Sequence, residues 1–224
     1  MSEIELRYQR ILKEVENAAK NSARDPSEVT VVAVSKRQPL EKIHELYRVG
    51  GREFGENRLQ EALEKIEHCD ESIHWHLIGS LQRKKVPKVI GRFHLIHSVD
   101  SFELAEKISD CSEQKETKTP ILLQVNCSRE ESKHGFLAES FLSEYESLRN
   151  LPGIEIRGLM TMAPFIDQEK IVRGCFAELR QLRDKVGKEE LPELSMGMSG
   201  DFHWAIAEGA TIVRVGTSIF GERR

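Results

Sequence analysis

Val29-Thr30-Val31-Val32-Ala33-Val34-Ser35-Lys36 is the stretch that decides the fold. Five of its residues are apolar and β-branched or small, and the run stops at a lysine. Apolar side chains on both faces mark a strand buried on both sides, as in a parallel sheet covered by helices. The lysine at its C-terminal tip has two readings. Lys36 snorkels to solvent, or it stands in a cleft where burial disfavours the ammonium and leaves a nucleophilic amine able to form a Schiff base.

Outward from this strand the chain alternates. Before it, residues 3–22 place Ile4, Ile11, Leu12, Val15, Ala18 and Ala19 at helical spacing, and Asp25-Pro26 ends that helix. After it, residues 39–49 form a helix stopped by Gly50-Gly51. Further strands are predicted at 52–55, 73–79, 94–99, 121–127, 154–162, 194–198 and 211–215. Helices are predicted around 59–66, 86–91, 101–109, 138–150, 168–186 and 202–208. Such alternation implies parallel strands joined by crossover helices. Eight strands imply a closed (β/α)8 TIM-type barrel with an extra N-terminal helix, filling a single domain over residues 1–224. A doubly wound open sheet is the alternative.

Totals narrow the function. With 31% charged and 39% hydrophobic residues the chain reads as a soluble globular protein. A formal net charge of −4 gives no global basic field to recruit nucleic acid. Cys69, Cys111, Cys127 and Cys175 are far apart, so no zinc ribbon or thioredoxin motif is present and a reducing compartment is expected. The N-terminus, Met1-Ser2-Glu3-Ile4-Glu5-Leu6-Arg7, is too charged for a signal peptide, and no apolar run reaches membrane-spanning length. A cytoplasmic protein is expected.

Barrels of this kind carry their chemistry at the C-terminal ends of the strands. Read that way, the end collects Ser35-Lys36, Gly55-Glu56-Asn57, His74 and His76 with Gly79-Ser80, Asn126, Thr161-Met162, Ser199-Gly200-Asp201 and Gly216-Thr217-Ser218. The last two loops follow strands seven and eight, where barrels often hold a phosphate at a helix N-terminus. Gly200 permits close backbone approach there. Ordinary capping and a tight turn would explain the same residues. Arg214 interrupts the apolar run Ile212-Val213-Arg214-Val215 and needs a partner. In a closed barrel the last strand lies beside the first, so Arg214 and Lys36 share one cavity, and a phosphorylated aldehyde would suit lysine, arginine and phosphate loops together. A salt bridge from Arg214 to Glu56 or Asp201 is the simpler reading.

The chain resembles the pyridoxal phosphate homeostasis protein family over nearly its whole length. The resemblance is carried by Ala33-Val34-Ser35-Lys36, Phe54-Gly55-Glu56-Asn57 and Trp75-His76-Leu77-Ile78-Gly79-Ser80-Leu81-Gln82. It continues through Ser132-Lys133-His134-Gly135, Arg157-Gly158-Leu159-Met160, Leu194-Ser195-Met196-Gly197-Met198-Ser199 and Val213-Arg214-Val215-Gly216-Thr217. The resemblance implies a fold like the alanine racemase N-terminal domain, with pyridoxal 5′-phosphate (PLP) held as a Schiff base on Lys36. It implies that Ser199, Gly216 and Thr217, with Gly200 beside them, hold the phosphate, while Asn57, Met160 and Arg214 line the ring. It also implies a non-catalytic role in vitamin B6 and amino-acid homeostasis, with PLP, amino acids and PLP-dependent apoenzymes as partners. The expected molecule is a monomer that engages neither nucleic acid nor membrane. One departure is Lys84, where the family usually has asparagine.

Two rival functions remain. A PLP enzyme such as a racemase would need a second base from an added domain, and the chain ends at Arg224, shortly after strand eight. A metal-dependent hydrolase would use His74 and His76, on one face of a strand, with ligands such as His97 from other strands. The run Arg83-Lys84-Lys85 with Lys88 reads as a solvated helix face, and Lys133 as a protonated loop residue.

Overall fold

The computed structural model describes residues 2–130 and 133–221, so Ser132 and Arg224 lie outside the described residues. The chain enters through α1 (Glu3–Asn21), whose first turn is closed by a reciprocal Ser2–Glu5 capping box. It continues through β1 (Thr30–Val34), α2 (Leu40–Arg48), β2 (Glu53–Glu56), α3 (Leu59–Ile66) and β3 (His74–Leu77). Then come β4 (Leu95–Val99), α4 (Phe102–Glu113), β5 (Thr119–Asn126), β6 (Phe136–Leu137), α5 (Phe141–Leu148) and β7 (Ile154–Met160). The last elements are α6 (Glu169–Val186), β8 (Glu193–Met198), α7 (Phe202–Ala207), β9 (Ile212–Val215) and α8 (Thr217–Phe220).

Eight of these strands close into a parallel barrel in the order β1-β2-β3-β4-β5-β7-β8-β9, with β9 returning to β1. The open-sheet alternative is thereby excluded. Val32 pairs with Arg214 across the β1–β9 seam, and Ala33 pairs with Phe54 on the other side. The two-residue β6 adds to β5 outside the ring of eight. Residues 138–140, expected to open a helix, form a turn after it, and α5 begins only at Phe141. The expected helix at 86–91 is a 3-10 helix at Arg83–Lys88 with Pro87 inside it. A proline lacks the N–H that a longer α-helix would need.

Alternation along each strand separates two interiors. Val31 and Ala33 face the helices and join a continuous annular core with Ile43, Leu46, Phe54 and Ile219. Within this layer each fully buried aliphatic side chain contributes about 1.5–3 kcal/mol. Val32 instead faces the lumen, where the buried apolar cluster is small: Val32, Leu95, Leu122, Met160 and Ile212. The rest of the lumen is polar. α1 buries Ile4, Ile11, Val15 and Ala19 and packs across α2, α7 and α8. Arg24 just beyond it donates to the carbonyls of Ile206 and Ala210, fastening the added helix to the end of the chain. Among the described residues no helix is long and apolar enough to cross a membrane.

Candidate functional site

The C-terminal ends of the strands open on a cavity of about 610 Å³. Lys36, Asn57, Ser199, Gly200, Arg214, Gly216 and Thr217 all line it. Met160 lies one layer deeper, in the apolar lumen cluster, and Met162 lines the cavity instead. Gln38, Ile78, Trp204 and the exposed Phe165 also line it, and nothing in the sequence singled them out.

Lys36 is held by its neighbours on both sides. Ser35 N–H donates to the Gly55 carbonyl at 3.0 Å, prolonging the β1–β2 pairing. The Ser35 hydroxyl donates to Glu56 Oε1 at 2.7 Å, and Lys65 Nζ donates to the Ser35 carbonyl at 2.8 Å. Beyond Lys36, Arg37 takes a left-handed φ of 59° and gives its N–H to Glu61 Oε1 at 2.5 Å. Lys65 joins the two carboxylates, lying 2.7 Å from Glu56 Oε1 and 2.7 Å from Glu61 Oε1. The peptide carrying Lys36 thus sits on a triad, Glu56–Lys65–Glu61, of which Glu56 and Lys65 are buried. Burial pushes the Glu56 carboxyl up, against the pull of Lys65 and the Ser35 hydroxyl. Burial also acts on Glu61, but the Lys65 and Arg37 bonds bring it below the usual carboxylate range.

Glu56 therefore faces α3, away from Arg214, and the expected Arg214–Glu56 salt bridge is not formed. Nor is an Arg214–Asp201 ion pair among those of the described residues. Arg214 instead donates to Ser195 Oγ at 2.5 Å and to the Thr161 carbonyl at 3.0 Å. Burial lowers its pKa to about 10, partly offset by the Asp201 charge, so it stays protonated at neutral pH. Asn57 brings an unusual feature to the same wall: its Oδ1 is buried without a hydrogen-bond partner. A buried acceptor left unpaired costs about 1–3 kcal/mol, which a ligand donor would recover.

Opposite stand the turns after β8 and β9. Gly216 N–H donates to Ser199 Oγ at 3.4 Å, tying one turn to the other. Asp201 does not cap α7 in the ordinary way; its carboxylate accepts from Met198 N at 2.5 Å and closes the turn at Ser199-Gly200. The first N–H groups of α8 have no acceptor within the helix. A Cβ at Gly216 would come within 3.3 Å of Val34, so only glycine lets the last turn approach the first strand without displacement. Gly200 meets no protein atom that its glycine would spare, so the close approach expected there is not to another part of the chain. Its open side borders the cavity. A hydroxyl, two small turns, backbone N–H groups and a cationic wall can together hold an anion such as a phosphate.

The two histidines of the hydrolase reading are elsewhere. β3 starts at His74, so His74 and His76 point toward the N-terminal mouth, away from the cavity. Their ring nitrogens are engaged by Glu53 and His97 at 2.7–2.8 Å. Among the described residues no group of three or more His, Cys, Asp or Glu side chains is arranged to hold a metal. Lys133 gives its amine to the carbonyls of Met162 and Ala163 and pairs with Glu130. Arg83, Lys84, Lys85 and Lys88 are all exposed.

Residues 9–224 match the family model described as alanine racemase, N-terminal domain. The Pyridoxal phosphate homeostasis protein of Aquifex aeolicus (strain VF5) is 40% identical over 222 residues, covering 97% of either chain. A crystal structure of a protein of unknown function from Bifidobacterium adolescentis superposes with a TM-score of 0.91 at 37% identity, covering 97% of this chain and 94% of that one. PipY of Synechococcus elongatus PCC7942, solved with PLP bound, superposes with a TM-score of 0.81 at 37% identity, covering 92% of this chain and 99% of PipY. A barrel of the alanine racemase N-terminal type and full-length relatives at this identity lead to one conclusion: the chain belongs to the pyridoxal phosphate homeostasis protein family.

Proposed function

We propose that this protein binds PLP through Lys36 and carries or buffers it, serving vitamin B6 and amino-acid homeostasis. The observation that carries the reading is the convergence of Lys36, Arg214 and the β8 and β9 turns on one cavity. PipY, solved with PLP bound, supports it, as do relatives named for pyridoxal phosphate homeostasis. Residues 1–224 act as one domain and one cytoplasmic monomer.

The cavity fits the group. Bound PLP supplies an aldehyde that an amine can capture and a pyridine ring that withdraws electrons. Lys36 offers the amine. Ser199, Gly200, Gly216 and Thr217 receive the phosphate, and Asn57 uses its unpaired Oδ1 on the ring side with Arg214. An arginine is charged at any working pH and can only donate. Beside a bound ring, Arg214 would favour an unprotonated ring nitrogen, and such a ring would withdraw electrons less strongly. Binding and release, with PLP-dependent apoenzymes as recipients, therefore dominate over turnover of amino acids.

The test is borohydride reduction of the protein loaded with PLP, followed by peptide mapping. The modification belongs on Lys36, and modification confined to Lys133 or Lys84 refutes the assignment. Deuterium uptake at Cα of alanine in heavy water separates carrier from enzyme. Uptake near the rate with PLP alone is expected, and rapid uptake abolished by Lys36→Ala would establish a racemase-like enzyme.

A further inference from the structure

A continuous polar chain crosses the barrel lumen from the cavity to the opposite mouth. Arg214 Nη1 meets Ser195 Oγ at 2.5 Å, and Ser195 Oγ meets His97 Nδ1 at 2.9 Å. His97 Nε2 meets His76 Nδ1 at 2.8 Å, and His76 Nε2 meets Glu53 Oε2 at 2.7 Å. The other oxygen of Glu53 meets His74 Nδ1 at 2.7 Å. Ser195, His97, His76 and Arg214 are buried, and they come from β8, β4, β3 and β9, so only the lumen can bring them together.

With both imidazoles neutral, the Glu53 end sets the direction of every bond. Arg214 can only donate. Glu53 can only accept while ionised, and the hydrogen bonds from His76 and His74 outweigh burial and keep its pKa below the usual value. Ser195 therefore accepts from Arg214 and gives its hydrogen to His97 Nδ1. His97 carries its hydrogen on Nε2 and donates to His76 Nδ1. His76 carries its own on Nε2 and donates to Glu53. In this arrangement each ring has one donor and one acceptor, and no ring nitrogen is left unsatisfied. Burial, with Arg214, His76 and His94 nearby, disfavours a charge on His97 throughout.

We propose that Ser195, His97, His76 and Glu53 are positioning residues for Arg214, and that the acceptor Glu53 offers His76 at the far mouth sets how firmly Arg214 is presented to the ring side of the cavity. The inference rests on PLP occupying that cavity. With Glu53 removed, nothing keeps the hydrogen of His97 on Nε2. On Nδ1 it would make the Ser195 oxygen accept from both His97 and Arg214 and turn the hydroxyl hydrogen elsewhere, which weakens the hold on the guanidinium. Other charges bear on the chain: Tyr8, beside Glu53, and Arg157, beside His94, act at the far mouth, and Asp201 acts beside Arg214. His94 also stacks on His74 and sits edge-on to His76.

Ring-nitrogen NMR shifts of the PLP-loaded protein test the direction without a mutation. His97 and His76 should both be Nε2–H tautomers at neutral pH, and an Nδ1–H His97 overturns the proposal. Glu53→Leu and Ser195→Ala then test the consequence. In both, borohydride should still fix PLP to Lys36. PLP should dissociate at least about threefold faster, and the absorbance of the bound cofactor against pH should move its midpoint by about 0.3 or more. Glu53→Gln retains an acceptor for His76 and should restore both readouts. Should Glu53→Leu not fold, Ser195→Ala decides alone. PLP on Lys36 with unchanged release and unchanged pH profile overturns this proposal only. PLP absent from Lys36 in the parent protein overturns the function on which it rests.

Discussion

Lys65→Met tests whether the triad beneath Lys36 holds the site. The substitution keeps the length of the side chain and removes the ammonium, leaving Glu56 fully buried with only the Ser35 hydroxyl. Removing one partner of a buried pair typically costs 3–5 kcal/mol. Here the surviving hydroxyl bond points to the lower end, about 3 kcal/mol. Glu61 is partly exposed and adds little. For a domain of this size, about 3 kcal/mol lowers Tm by roughly 6–12 °C.

The pH dependence has a definite sign. Glu56 already has a raised pKa in the folded protein, and losing Lys65 raises it further. Between its unfolded and folded pKa values the folded chain holds a proton that the unfolded chain has released, so stability falls as pH rises through that window. The variant should therefore be most impaired at neutral pH and recover toward wild type as pH falls to about 5. Thermal melts at both pH values, with urea titrations for the free energies, measure this. A loss under about 1 kcal/mol, independent of pH, would show the triad to be no more than a surface-type pair. PLP affinity should fall as well, because the Ser35 carbonyl loses the donor that fixes the Lys36 peptide.

Other perturbations reach the remaining parts of the site. Ser199→Ala with Thr217→Ala should weaken PLP far more than pyridoxal, each lost charge-assisted bond costing about 1.5–3 kcal/mol; equal losses by equilibrium titration would remove these residues from phosphate binding. Gly79→Ala places a Cβ 2.1 Å from the Asn57 carbonyl oxygen, so it should displace Asn57 and destabilise by about 1–3 kcal/mol, read by urea unfolding and PLP titration. Of the four thiols, Cys69 alone is partly exposed, and burial pushes Cys127 up to about 12. A thiol reagent at neutral pH should therefore modify Cys69 in the native protein and the other three only on unfolding, which mass spectrometry would show.

Much of the barrel was legible because its strands are apolar runs that end at glycines, amides or charges. Lys36 and Arg214 stood out for the same reason: each is a charge in or at the end of such a run. The short 3-10 helix at Arg83–Lys88 and the two-residue β6 were not legible, since neither is long enough to show a period. Met160 and Met162 differ by one lumen layer, which depends on where β7 stops. Lys65 was missed because it follows Gln60, Glu61 and Glu64 and reads as part of a solvated face. Its spacing of four from Glu61 was the available signal. The lumen chain was beyond reach for another reason. Ser195, His97, His76 and Glu53 lie on four strands, and which polar residues meet across a barrel is set by register and shear.

The seam between β1 and β9 joins the first and last strands of the barrel. Lys42 in α2 donates to the Phe220 carbonyl at 3.0 Å, across 178 residues of sequence. Lys36 lies on one side of that seam and Gly216 and Thr217 on the other. A ligand gripped by both sides would make all of its contacts only when this seam is closed. Such a ligand would act as a clasp on ring closure, and its occupancy would add to global stability. At a free concentration one hundred times Kd the added stability is about 2.7 kcal/mol. Supply of the cofactor and survival of the fold are then linked quantities, and a cell short of the ligand holds less of the protein as well as less of its loaded form.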